Sequence, residues 1–174
     1  DLKNIAITED GLSIGSLVTH TQIMNSPVIR DLFPALVDAA HTIGAVQTRN
    51  LGTLGGNLVT GVPSMDSGPT LVALEAEVAL LGPAGRRTLP IGEFFLGPRK
   101  TALKPDELLA EIIIPTRNRG KPTHFLKFGL RKGQALALVN VAASFWADGS
   151  PHVFRAPRIA LGAVAPTVIR ASKA

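Results

Sequence analysis

The apolar residues of this chain change their period near Glu77, and that change limits the available folds more than any other feature. Before it, "FPALVDAAHTIG" (33–44) opens on Pro34 and carries Leu36, Val37, Ala40 and Ile43 at helical spacing, closed by Gly44. Thr19 is placed to N-cap "HTQIMNS" (20–26), which Pro27 ends, and "DSGPTLVALE" (66–75) reads as a further helix with Asp66 or Ser67 as its cap. From Glu77 the pattern is that of strands. "EVALLGPAGRRTLPI" (77–91) predicts a hairpin across Gly82 to Gly85, and "ELLAEIIIP" (107–115) a strand with buried faces. A first hairpin is expected at the N-terminus, where residues 4–8 and 12–18 alternate about Asp10-Gly11. The prediction is an α+β fold.

The polar segment "TRNRGKP" (116–122) has the character of a domain junction, so domains over 1–116 and 117–174 are expected. Beyond it, "THFLKFGLRKG", "ALVNVAASFWADG" and "RIALGAVA" read as three strands of an antiparallel sheet. Their apolar face needs a cover, and the sequence after them offers no helix to supply one. The abrupt start and finish suggest a piece of a longer polypeptide, or a subunit covered by partners.

Composition excludes several classes of function. Of the 174 residues 45% are hydrophobic, enough for a packed core. The absence of cysteine rules out disulfides and thiolate-held metal within the chain. The histidines, His20, His41, His124 and His152, are scattered without metal-ligand spacing and read as surface or capping residues. A net charge of +5 invites a nucleic-acid reading, but the cations occur in dispersed pairs, there is no tyrosine, and nucleic acid is not expected as a partner. No apolar run approaches a membrane span and no leader pattern opens the chain, so a cytoplasmic protein is expected.

The densest chemical signal is "RNLGTLGGNLV" (49–59). It matches neither the dinucleotide fingerprint nor the P-loop. Adjacent glycines permit positive φ and close approach of backbone N–H groups to a polar or anionic ligand, with Thr53 and Asn57 as directional partners. On composition alone, the favoured reading is a tight turn between helix and strand that needs glycine only for its geometry.

Four motifs carry a resemblance. Thr48-Arg49-Asn50, Thr53-Leu54-Gly55-Gly56-Asn57, Val62-Pro63-Ser64-Met65-Asp66 and Phe94-Phe95-Leu96-Gly97-Pro98-Arg99-Lys100-Thr101 occur in the order and spacing of the flavin-carrying medium subunit of molybdenum hydroxylases, the xanthine dehydrogenase and carbon monoxide dehydrogenase family. The similarity is densest over 42–115, and the tail resembles the start of the same family's C-terminal domain. The fold it implies is the second subdomain of a vanillyl-alcohol-oxidase-like (PCMH-type) FAD-binding domain. The start of a carbon monoxide dehydrogenase flavoprotein C-terminal-like domain, with an antiparallel sheet, would follow. A pyrophosphate-cradling subdomain would precede Asp1 and helices would follow Ala174, so the resemblance implies truncation at both ends.

Carried over residue by residue, the resemblance implies FAD contacts from Thr53, Leu54, Gly55, Gly56, Asn57 and Asp66, with Leu109 and Lys127 near the flavin ring. Without it, Asp66 is a helix cap, Leu109 core and Lys127 a solvated strand lysine; as a cation near the ring, Lys127 would stabilise reduced flavin. Val62 departs from the family's Asp or Ser and removes one polar contact. The implied partners are a large molybdopterin-molybdenum subunit and a small subunit with two [2Fe–2S] clusters, in a dimer of heterotrimers. Electrons would pass through FAD to NAD⁺, a quinone or oxygen, and this chain would supply no catalytic acid, base or nucleophile. Two alternatives stand beside this reading: a non-catalytic interaction subunit that has lost FAD, and a flavin oxidoreductase acting alone.

Overall fold

The computed structural model describes residues 2–147, 149 and 153–173; His152 lies outside the described residues. Strands β1 (Ile5–Ile7) and β2 (Gly11–Gly15) form the expected hairpin. Helix α1 (His20–Asn25) starts at Thr19 with a complete capping box: Thr19 Oγ1 accepts from the Gln22 amide, and Gln22 Oε1 accepts from the Thr19 amide. Pro27 ends α1 as expected but also opens a second helix, α2 (Pro27–Leu32), capped by the Ser26 hydroxyl. Proline's fixed φ and missing N–H suit the first helical position, so the same residue stops one helix and starts another. Then come α3 (Pro34–Thr42), α4 (Val46–Leu51), α5 (Leu54–Thr60) and α6 (Ser67–Ala73).

The glycine-rich stretch is therefore not a loop. Its double glycine lies in the first turn of α5, and neither Gly55 nor Gly56 has a positive φ; the left-handed position is Gly61 (φ 62°), which ends α5.

From Glu77 the chain forms β3 (Glu77–Gly82) and β4 (Gly85–Pro90), the short helix α7 (Ile91–Phe94), β5 (Phe95–Gly97), β6 (Lys100–Thr101) and β7 (Leu108–Pro115). A 3₁₀ turn over Thr116–Asn118 leads to β8 (Thr123–Gly129), β9 (Ala137–Ala147), β10 (Phe154–Gly162) and β11 (Ile169–Arg170). Among the described residues the strands form an antiparallel sheet β1-β2-β7-β3-β4, a second antiparallel sheet β11-β10-β9-β8 and the small β5–β6 pair.

The expectation that the second sheet has no helix to cover it is corrected here. Helix α6 packs on β8, β9 and β10, and α3 packs on β8. The cover comes from far earlier in the sequence, a pairing no local pattern encodes. Every residue of α6 is buried, and Leu71, Leu74 and Leu58 of this helical layer share one apolar core with Leu12, Ile14, Ile112 and Ile114 of the first sheet. Each such leucine or isoleucine contributes about 1.5–3 kcal/mol by leaving water.

Both ends of α6 are pinned to one strand. Asn140 Nδ2 donates to Met65 O (3.1 Å) and Asp66 Oδ1 (2.9 Å) at its start, and Ser144 Oγ donates to Ala73 O (2.8 Å) at its end. Four residues of strand span about 13 Å, close to the rise of a helix of this length, so the two side chains on one face of β9 match the two ends of α6.

Candidate functional site

Helix α5 begins where Thr53 bridges back to Thr19, antiparallel to the chain entering α1. The Thr53 side-chain oxygen accepts from the Gly56 amide at 3.0 Å and so caps the helix. The amides of Leu54 and Gly55 turn inward, to Val18 O and Ser16 O, both at 2.9 Å. This corrects the expectation that the glycine amides face a ligand: the Gly55 amide fastens α5 to the segment after β2, and the Gly56 amide is taken by the Thr53 cap. The helix start presents other groups outward: the Thr53 hydroxyl proton, the exposed Gly56 and the Asn57 side chain.

The two glycines have different reasons to be glycine. A Cβ at Gly55 would sit 2.6 Å from Ser16 Cβ and 2.7 Å from Ser16 O, so this position is fixed by backbone packing. A Cβ at Gly56 would meet only Thr53 Oγ1, at 3.0 Å, and otherwise faces open space. Gly56 thus allows an external group to reach the helix backbone.

Asn57 lies one turn into α5 and accepts from Ser67 Oγ through Oδ1 (2.6 Å), which leaves its amide NH₂ to donate. Asn57 and Asp66 line one cavity of about 180 Å³ with Gly44, Thr60, Val62, Ser64 and others. A neighbouring cavity of about 420 Å³ is lined by Thr42, Lys127, Phe128, Arg131 and others, and Ala135 borders both.

Lys127 and Asp66 join the two cavities. Lys127 Nζ donates to Asp66 Oδ2 at 2.5 Å, to Ala135 O at 2.8 Å and to Thr42 O at 3.2 Å, with side-chain exposures of 9% and 6% for the pair. The alternative readings of both residues are corrected here. Lys127 is not a solvated strand lysine: all three ammonium protons have acceptors and its charge is matched by a carboxylate. Asp66 occupies the cap position of α6 but makes no side-chain capping bond, because Lys127 and Asn140 hold its carboxylate.

Of the eight residues singled out from sequence, the fold brings Asn57, Asp66 and Lys127 around one pair of cavities, with Thr53 and Gly56 on the adjoining helix start. Leu54 and Leu109 lie in the hydrophobic core and line neither cavity. Sequence reasoning missed Asn140 and the carbonyls of Thr42 and Ala135. Asn140 is the register partner of Lys127 across β8 and β9, a relationship that only strand pairing creates.

The histidine expectation is corrected in part. His41 and His124 are exposed, but His20 is 2% exposed, and burial followed by the nearby Arg49 charge lowers its pKa to about 4. Among the described residues no cluster of three His, Cys, Asp or Glu could hold a metal, and no helix is long and apolar enough to cross a membrane.

A fold of this kind, with a glycine-bearing helix start beside a buried Asp–Lys pair, defines a class. Residues 1–117 match the family described as the FAD binding domain in molybdopterin dehydrogenase, and the chain belongs to that family, whose members here are FAD-binding subunits of molybdenum hydroxylase oxidoreductases. It is 34% identical over 177 residues to the xanthine dehydrogenase FAD-binding subunit of Escherichia coli O157:H7, covering 100% of this chain and 60% of that protein. It is 35% identical over 171 residues to the carbon monoxide dehydrogenase medium chain of Hydrogenophaga pseudoflava, covering 98% of this chain and 58% of the relative. The structure of carbon monoxide dehydrogenase from H. pseudoflava lacking the Mo-pyranopterin moiety superposes with a TM-score of 0.92 at 33% identity, covering 98% of this chain and 58% of that one. The chain thus spans about three fifths of the length of these relatives.

The residues present fit FAD. The Thr53 hydroxyl and the Asn57 amide are groups that would donate to hydroxyl and phosphate oxygens, the Asp66 carboxylate would accept, and bare Gly56 leaves room for approach.

Proposed function

We propose that this chain is the FAD-holding, electron-transferring part of a molybdenum hydroxylase. In the whole assembly, a large subunit with molybdopterin-bound molybdenum would hydroxylate the substrate, and a small subunit would carry two [2Fe–2S] clusters. Electrons would leave through this subunit to NAD⁺, a quinone or oxygen, in a dimer of heterotrimers. Bound FAD supplies a redox centre able to exchange electrons singly or in pairs.

The observation that carries this reading is the convergence of Asn57, Asp66 and Lys127 around one pair of cavities, with the α5 start adjoining them through Asn57. In the proposed site Thr53 and Asn57 donate to the cofactor and Asp66 accepts from it. Gly56 lets it approach, while Leu54, Gly55 and Leu109 form the rigid support behind. Lys127 contributes less as a free cation than as the group that neutralises and aims Asp66, since its three protons are already committed. No residue of the site needs to exchange a proton with substrate.

Titration of the chain with FAD, followed by flavin fluorescence quenching, tests the assignment. Saturable binding that Gly56→Val abolishes is the expected result. Failure of the parent chain to bind, or equal binding by Gly56→Val, overturns it.

A further inference from the structure

Asn140 is buried to 1% exposure on the inner face of β9, between Asp66 and Gly162. Its Nδ2 donates to Asp66 Oδ1 and to Met65 O, while its own Oδ1 has no hydrogen-bond partner among the described residues. The amide orientation is fixed by chemistry. Turned the other way, Oδ1 would face Met65 O and Asp66 Oδ1, two acceptors that can give it nothing. An unpartnered buried carbonyl is destabilising, so a residue serving stability alone is poorly chosen here.

The use of Asn140 is directional. Lys127 and Asn140 are cross-strand partners on β8 and β9, and each takes one oxygen of the same carboxylate: Lys127 takes Oδ2 and Asn140 takes Oδ1. A carboxylate held at one oxygen can swing about its χ2 torsion, whereas one held at both has its plane fixed. Asn140 also holds Met65 O, so it fixes the backbone from which Asp66 projects as well as the side chain.

We propose that Asn140 is a positioning residue for the cofactor: with Lys127 it sets the plane of the Asp66 carboxylate, so that the remaining acceptor directions of Asp66 meet the bound FAD. This rests on the FAD-binding reading above. Asn140 acts through Asp66 and does not itself touch the cofactor. The neighbouring strand makes room for it, because a Cβ at Gly162 would overlap Asn140 Oδ1.

The test uses Asn140→Leu, which keeps the branched outline of the side chain and removes the donor, and Asn140→Asp. In Asn140→Asp the introduced carboxyl repels Asp66 when ionised and donates to it when protonated, with Lys127 and Asp66 the charged groups bonded into the same network. The FAD dissociation constant of each is measured from pH 8 to pH 5.5 beside the parent chain, and amide hydrogen exchange of residues 62–66 is followed without FAD. The expected result is FAD binding weakened about tenfold in Asn140→Leu at every pH, from the loss of one hydrogen bond to a charged group. Asn140→Asp should bind weakly at pH 8 and recover toward the parent as pH falls. Exchange over 62–66 should quicken in Asn140→Leu.

Parent-like FAD affinity in Asn140→Leu, or a defect in Asn140→Asp that does not vary with pH relative to the parent, overturns the proposal and leaves the FAD reading intact. If the parent binds no FAD, the exchange measurement decides. Faster exchange in Asn140→Leu keeps Asn140 as the group that positions Asp66 while the cofactor reading falls, and unchanged exchange overturns both.

Discussion

Gly162 lies directly opposite Asn140 across the β9–β10 ladder, and the space that a side chain would fill at Gly162 is taken by the Asn140 amide. Pro69 of α6 closes the same space, 3.1 Å from where a Cβ would stand. Gly162→Ala therefore forces either the amide or the helix to move. Overpacking of this kind costs about 1–3 kcal/mol, read as a lower denaturation midpoint with unchanged slope. Because the displaced amide holds Asp66, FAD affinity should fall in the same variant although residue 162 is not part of the site.

The paired glycines of α5 should separate when each is changed to alanine. Gly55→Ala drives a Cβ against the Ser16 backbone and is expected to destabilise the chain by about 1–3 kcal/mol. Gly56→Ala meets only the Thr53 hydroxyl and gains helix propensity, so its stability should stay within about 1 kcal/mol of the parent. FAD affinity should nonetheless drop. Thermal unfolding and FAD titration of the two variants together check this.

The buried Lys127–Asp66 pair predicts a large coupling. Lys127→Met strands a buried carboxylate that then keeps only the Asn140 bond, and about 3–5 kcal/mol of stability is expected to go. Asp66→Asn in the same background removes the stranded charge and should recover part of that loss. A double-mutant cycle by denaturant unfolding measures it, and additive single effects would show the pair to be uncoupled.

Acid should weaken the fold in two successive ranges. His20 is neutral in the folded state with its pKa lowered to about 4, so as pH falls below the ordinary value of about 6.5 the unfolded chain takes up a proton that the folded chain refuses. Stability should decline from pH 6.5 to 4, by roughly 3 kcal/mol at 1.36 kcal/mol per unit. Glu107 follows at lower pH. The Arg87 guanidinium, bonded to both its oxygens at 2.7 Å, and the Lys104 amide depress its pKa from 4.5 to about 2. The stability from that carboxylate is fully present above pH 4.5 and lost on the way to pH 2. Melting temperature against pH should show both declines, with the upper one missing in His20→Gln and the lower one in Arg87→Gln.

Much of the secondary structure was legible because its signals are local. Thr19 with Gln22 three residues on, Pro34 at a helix start, Asp10-Gly11 between alternating runs and the Gly82-to-Gly85 turn each act within a few residues. The failures also have local causes. Pro27 signals a helix stop and a helix start alike, and adjacent glycines signal a turn although their neighbours Leu54, Leu58 and Val59 propagate a helix once Thr53 caps it. The motifs from Thr48 to Thr101 pointed to the family and hence to FAD.

What the sequence by itself determined is the kind of many of the elements, several of their caps and turns, and the family to which the chain belongs. Only the tertiary structure decided which surfaces meet. It laid α6 over a sheet made some fifty residues later, turned the Leu54 and Gly55 amides inward to Val18 and Ser16, and buried His20. It also converted Lys127 from a free cation into half of a neutral pair with Asp66, and set Asn140 against that pair. The physical reason is range. Caps, turns and hydrophobic period depend on neighbours a few bonds away, whereas burial, charge pairing and strand register depend on contacts between residues 61 to 85 positions apart along the chain.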